Sequence, residues 1–136
     1  MKVEQNIFEK IVNGEVESAK IWENDKYIAI LDGFPNTKGM TLVIPKKRVD
    51  SDIFSLNNSD YTNILLATKE VAHILEKGLN VKRIAMVVEG MGVNHLHVKL
   101  YPLHGLSDKF TEMWAKDKVY FDKYGGYLST QTGPKM

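Results

Sequence analysis

Hydrophobic and polar positions change period several times along the chain, and each change marks an element. Ile7, Phe8, Ile11 and Val12 recur at i, i+1, i+4 and i+5, an apolar stripe that predicts a short helix over residues 4–13, closed where Asn13-Gly14 supplies left-handed backbone. Two β-rich runs follow, Ile21-Trp22-Glu23 and Tyr27-Ile28-Ala29-Ile30-Leu31, and the turn pair Asn24-Asp25 between them predicts a hairpin. Residues 32–39 are a loop by composition, and Thr41-Leu42-Val43-Ile44-Pro45 is a buried-type strand halted by its proline. From Asn57 to Leu79 the period becomes helical, with Ile64, Leu65, Val71, Ala72 and Leu75 on one face. Asn57 with Asp60 three residues later resembles a capping box, and Gly78 marks the end. A strand at Arg83–Val88, a glycine-bearing turn at Glu89–Asn94 and a strand from His95 to Tyr101 ended by Pro102 should pair antiparallel. A helical fragment around Phe110, Met113 and Trp114 then gives way to an aromatic, glycine-broken tail. The order βββαββ with flanking helices predicts an α+β fold with an antiparallel sheet of about five strands.

Composition narrows the chemistry. At 136 residues the chain is one domain's worth and buries a core without staples. Eighteen basic against seventeen acidic residues leave a net charge of +1, so no overall field favours a nucleic acid polymer or an anionic membrane, and any phosphate site must be local. With no cysteine, disulfides, thiolate zinc sites and a cysteine nucleophile are excluded, and chemistry falls to His, Lys and carboxylates. The polar, acidic N-terminus MKVEQNIFEK and the lack of a run of about 20 apolar residues predict a cytoplasmic protein. Lys46-Lys47-Arg48 reads as a solvated surface run and His73 as a surface or packing histidine without a role.

The segment His95-Leu96-His97-Val98-Lys99-Leu100 alternates with period two. On a strand, His95, His97 and Lys99 share one face, about 6.6–6.8 Å apart at Cα, while Leu96, Val98 and Leu100 enter the core. Two imidazoles and an ammonium so spaced can meet one tetrahedral phosphate.

Together with Phe8-Glu9-Lys10-Ile11-Val12-Asn13-Gly14-Glu15, Asp32-Gly33-Phe34-Pro35, Gly39 and Thr41-Leu42-Val43-Ile44-Pro45-Lys46, this segment resembles the histidine triad (HIT) superfamily of nucleotide hydrolases and transferases over residues 5–103. The resemblance implies a single HIT-like domain over 1–136 with 104–136 as a divergent extension, one long helix, one or two short ones, and a homodimer whose sheets join side by side. It implies that His97 attacks the α-phosphorus of a purine nucleotide or dinucleotide, forming a nucleotidyl-histidine that water hydrolyses. His95 would support the orientation of His97, Asp32 would hold the ribose hydroxyls, and Ile7, Phe8 and Leu42 would form the base pocket. No cofactor and no metal is implied. Ile7 and Leu42 read equally well as plain core.

Several positions depart from the family pattern. Lys99 stands for the third histidine, Met40 for the upstream histidine, Val88 for an asparagine, and Met91-Gly92 for a Gln-Ser or Gln-Thr pair. Backbone N–H groups around Gly90 and Gly92 can replace lost phosphate donors. Lys99 can donate a charge-assisted bond to a phosphate, yet it shuttles no proton at neutral pH unless its pKa is depressed. The residues therefore leave three readings open: a nucleotide hydrolase acting on phosphoramidates or dinucleoside polyphosphates, a nucleotide-binding protein with little turnover, and a zinc site of His95, His97 and His104. Outside the zinc reading, His104 and the tail residues Ser129, Thr130 and Gln131 are polar groups beyond the triad to which no role is given.

Overall fold

The computed structural model describes residues 4–112, 114, 116–126, 128 and 134–135. The chain falls into two units, Met1–Leu106 and Ser107–Met136.

In the first unit, helix α1 (Ile7–Val12) is followed by strands β1 (Lys20–Glu23), β2 (Tyr27–Leu31) and β3 (Thr41–Pro45), the long helix α2 (Asn58–Leu79), and strands β4 (Ile84–Val87) and β5 (Val98–Pro102). The five strands form one antiparallel sheet in the order β1-β2-β3-β5-β4. This is the predicted α+β architecture. The hairpin forms where Asn24-Asp25 predicted it, because Asn24 Oδ1 accepts from the backbone N–H groups of Lys26 and Tyr27 at 2.9 and 2.7 Å.

The period-two pattern sends alternate residues into two different cores. Helix α2 covers one sheet face, where Ile64, Ala67, Val71 and Leu75 pack against Ala29, Val43, Leu96, Val98 and Leu100. On the other face Phe8 of α1 packs with Ile28, Ile30, Leu42 and Ile44. β3 is buried along its whole length because it is central and covered on both sides.

Helix boundaries differ from the sequence reading in detail. Asn57 caps α2 by accepting from the Asp60 N–H at 2.8 Å, but Gly78 lies inside the helix. Asn80, in the left-handed conformation at φ 53°, ends it just past Leu79. A short 3-10 turn at Ile53–Ser55, capped by Asp52, has no periodic signal in the sequence. The strand expected from His95 begins only at Val98. Val98 pairs with Val43, and further back the ladder would meet Pro45, which has no N–H to give. The backbone of this segment turns instead to the loop after β3, with Leu96 N donating to Val49 O at 2.9 Å.

In the second unit, no helix forms around Phe110 and Trp114 among the described residues. The Ser107 and Thr111 hydroxyls both reach Lys109 O, local side-chain bonds that compete with a helical ladder. Met113, Ser129, Thr130 and Gln131 lie outside the described residues. No helix among the described residues is long and apolar enough to cross a membrane.

Candidate functional site

The site lies on the α1 side of the sheet. Register places Ile30, Leu42, Lys99 and Val87 in one row across β2, β3, β5 and β4, and side chains opposite one another in register share a face. His97, two residues before Lys99, shares that face although its backbone lies outside the ladder. Leu96, Val98 and Leu100 enter the α2 core, as the alternation predicted. The two histidines are not on an open surface: His95 and His97 are buried.

Each imidazole is held differently. His97 Nδ1 donates to the carbonyl of His95 at 2.8 Å, since a carbonyl only accepts. In the neutral ring this leaves the lone pair on Nε2. No side-chain or backbone group among the described residues bonds that nitrogen, and no buried side-chain polar atom lacks a partner, so Nε2 is where the ring meets solvent. His95 Nε2 donates to Pro45 O at 2.8 Å, and its Nδ1 lies 3.1 Å from Asn6 Nδ2. Burial pushes the His95 imidazole below its ordinary pKa, partly offset by the Pro45 bond. Phe8 presses on both rings, edge-on to His95 at 5.7 Å and tilted against His97 at 5.1 Å.

Lys99 Nζ lies 2.8 Å from Glu89 Oε1, and this pair raises the Lys99 pKa despite burial. Lys99 is therefore a fixed cation and not a proton shuttle at neutral pH. Asp32 adds to the same stabilisation of the charge from a position past the end of β2. One of its carboxylate oxygens accepts from Phe34 N at 2.8 Å, and its backbone N–H donates to Met40 O at 2.9 Å. Leu42 is buried in the α1-side core, whereas Ile7 is 43% exposed one position before Phe8. Met40 is buried.

The turn from Glu89 to Asn94 is tied down by Ser51. Its hydroxyl donates to Gly90 O at 2.9 Å, and its N–H donates to Asn94 Oδ1 at 3.2 Å. Gly90 and Gly92 both have positive φ, 74° and 88°. Gly92 is exposed, and a Cβ there would meet nothing within 4 Å.

The basic run after β3 is not simply solvated. Lys46 pairs with Glu23 at 2.9 Å and Arg48 with Glu9, which leaves Lys47 as its exposed member. Arg48 holds the Glu9 carboxyl below the usual carboxylate range. Glu9 Oε1 also accepts from Asn6 N at 3.1 Å, closing a capping box at the start of α1. Asn6, Glu9 and Arg48 thus back the His95 ring. The sequence carried part of this signal, since Asn6 followed by Glu9 before an apolar run is a capping-box pattern.

A three-histidine zinc set finds no support in the geometry. Both ring nitrogens of His95 are engaged, and His104 is exposed with its Nε2 on Lys38 O at 2.7 Å. Among the described residues no three His, Asp or Glu groups cluster to hold a metal. His73 is exposed on α2 beside Glu76.

The chain belongs to the HIT domain family, whose pattern matches residues 13–105. Protein Hit of Bacillus subtilis is 31% identical over 126 residues, covering 89% of this chain and 84% of that protein. Among solved structures, a HIT family hydrolase from Clostridium thermocellum superposes with a TM-score of 0.67 at 26% identity, covering 81% of this chain and 100% of that one. A hypothetical histidine triad nucleotide-binding protein from Sulfolobus tokodaii gives a TM-score of 0.67 at 26% identity, covering 78% and 75%.

Proposed function

We propose that this protein is a nucleotide phosphohydrolase that cleaves nucleoside phosphoramidates or dinucleoside polyphosphates through a nucleotidyl-histidine intermediate. The observation that carries this reading is the His97 ring, held through Nδ1 by the His95 carbonyl at 2.8 Å with Nε2 unbonded. A neutral, oriented imidazole with a free lone pair is a competent nucleophile. The Nε2 lone pair attacks the α-phosphorus, and the bond to the leaving nitrogen or oxygen breaks. Water then attacks the phosphorus, the P–N bond to His97 breaks, and nucleoside monophosphate leaves with the ring restored. Relatives described as a hydrolase and as a nucleotide-binding protein support the same class.

Lys99 and backbone N–H groups around Gly92 take the phosphate oxygens, and Asp32 takes the ribose hydroxyls. Ile7, Phe8 and Leu42 form the apolar wall for a purine base. Catalysis in such a site is positioning and charge stabilisation, without cofactor or metal. The protein works as a homodimer joined through the sheet edge: β4 is an edge strand, and an edge strand carries a row of backbone groups of the kind that pairing covers. The cytoplasm is the compartment proposed.

A second reading is favoured by the Lys99–Glu89 pair. A lysine so held donates no proton to a leaving group, which fits a nucleotide-binding protein with little turnover. Release of nucleoside monophosphate from adenosine and guanosine phosphoramidates and dinucleoside polyphosphates separates the two. The hydrolase reading expects release by the native chain and none by His97→Ala. Equal release from both overturns the nucleophile, and no release from either with nucleotide binding retained selects the binding protein.

A further inference from the structure

The N-cap of α1 does more than end a helix. Asn6 Oδ1 accepts from Glu9 N at 2.9 Å, as an N-cap side chain must, so the amide NH2 has one orientation and faces His95 Nδ1 at 3.1 Å. On the other side of the ring, Pro45 O can only accept, so Nε2 carries the proton. An NH2 group and a carbonyl on opposite sides of one imidazole are compatible with a single state: neutral, with the proton on Nε2 and the lone pair on Nδ1. Protonating Nδ1 would set two donors against each other, and the amide cannot turn round without giving up the helix cap.

We propose that Asn6 is a positioning residue, whose cap-oriented amide fixes the neutral tautomer of His95 and so keeps a second cation away from the His97 nucleophile. The catalytic consequence rests on the nucleotidyl-histidine reading; the tautomer does not. The charged and titratable groups acting on His95 are Glu9 on α1, Arg48 after β3, and His97 on its own segment. Glu9 and Arg48 are paired and of opposite sign, so their effects on the ring oppose each other, and the group in direct contact decides. When His97 bonds phosphorus its ring becomes cationic. An imidazolium two residues away, whose carbonyl holds that same ring, would oppose this charge.

One substitution isolates the amide. Asn6→Asp keeps an oxygen for the Glu9 N–H, and aspartate caps as well as asparagine, but it presents an acceptor where the NH2 stood. The His95 ring then satisfies both neighbours only as an imidazolium. Asn6→Ser keeps a capping oxygen and offers Nδ1 nothing. The experiment is ring nitrogen–proton correlation NMR of the full-length, labelled chain, with circular dichroism to confirm the fold.

The native chain should show His95 with one protonated nitrogen across the range in which a free histidine titrates. Asn6→Asp should show both nitrogens protonated at neutral pH, and Asn6→Ser should titrate between the two. In the nucleotide-release assay Asn6→Asp should lower kcat about tenfold, with KM little changed. A folded Asn6→Asp chain whose His95 ring keeps the native single tautomer at neutral pH, or an Asn6→Ser chain whose His95 ring titrates no differently from the native one, overturns the proposal. Ring states that change as expected in a protein releasing no nucleotide uphold the positioning role and reject the hydrolase reading.

Discussion

Lys99 and Glu89 are 2.8 Å apart and partly buried, so the lysine cation is already matched by a carboxylate. Its raised pKa removes it as a general acid, and the leaving group must depart without a proton from this side chain. The reaction should therefore depend steeply on leaving-group acidity. Measuring kcat/KM over a series of adenosine 5′-phosphate esters with leaving groups of graded pKa checks this. A flat series would mean that another group supplies the proton.

His95 makes folding stability depend on pH. Its pKa is lowered in the folded chain and stands near ~6.5 in the unfolded one. Between those values the unfolded state binds the additional proton, so stability rises with pH across that window. The contribution is fully present above ~6.5 and is lost as pH falls toward the lowered folded value. Urea midpoints followed from about pH 8 down to about pH 5 should fall in the native chain, and less so in His95→Gln than in the native chain. Equal slopes would place the acid sensitivity elsewhere.

The two turn glycines should differ in cost. A Cβ at Gly90 would sit 3.0 Å from Ser51 O, a backbone atom that cannot swing away, whereas one at Gly92 meets nothing within 4 Å. Both substitutions carry the left-handed penalty of about 1–2 kcal/mol, and only Gly90→Ala adds a clash. Chemical denaturation should rank Gly90→Ala as clearly the less stable, with Gly92→Ala near about 1 kcal/mol below the native chain.

Ile7 and Phe8 are neighbours in sequence with opposite burial, 43% against 6% exposed. Phe8→Ala removes a ring from the core and from both histidines, and should cost about 3–5 kcal/mol. Ile7→Ala should stay within about 0.5 kcal/mol in stability while weakening nucleotide binding several-fold. Calorimetric titration with adenosine monophosphate tests the second half, and unchanged affinity would take Ile7 out of the base pocket.

Periodicity was enough for the elements whose pattern is local. The 3.6-residue stripe gave α2 from its Asn57 cap, and the alternation from His95 to Leu100 assigned both faces correctly although the ladder starts only at Val98. The elements that were misread depend on partners far away. Arg48 looked like one of three solvated cations until α1 brought Glu9 to it. Nothing in the sequence signals that Lys99 is paired, because Glu89, ten residues earlier, sits on the preceding turn and meets it only when β4 and β5 pair. The HIT resemblance singled out His97 as the proposed nucleophile, but the tautomer of its ring depends on a backbone carbonyl, which no residue type encodes.

The Asn6–His95 contact joins positions 89 apart in the chain, and β5 inserts between β3 and β4. A ribosome releases α1, the hairpin and β3 long before it releases the segment that closes the sheet. Until then β3 is an open edge, and the future reaction centre is only one apolar wall without its nucleophile. A message cut short before residue 95 thus yields a fragment that is both inert and adhesive, a target for chaperone or protease. The proposed site is therefore assembled late, because its last residues, His97 and Lys99, follow every strand of the sheet except β5.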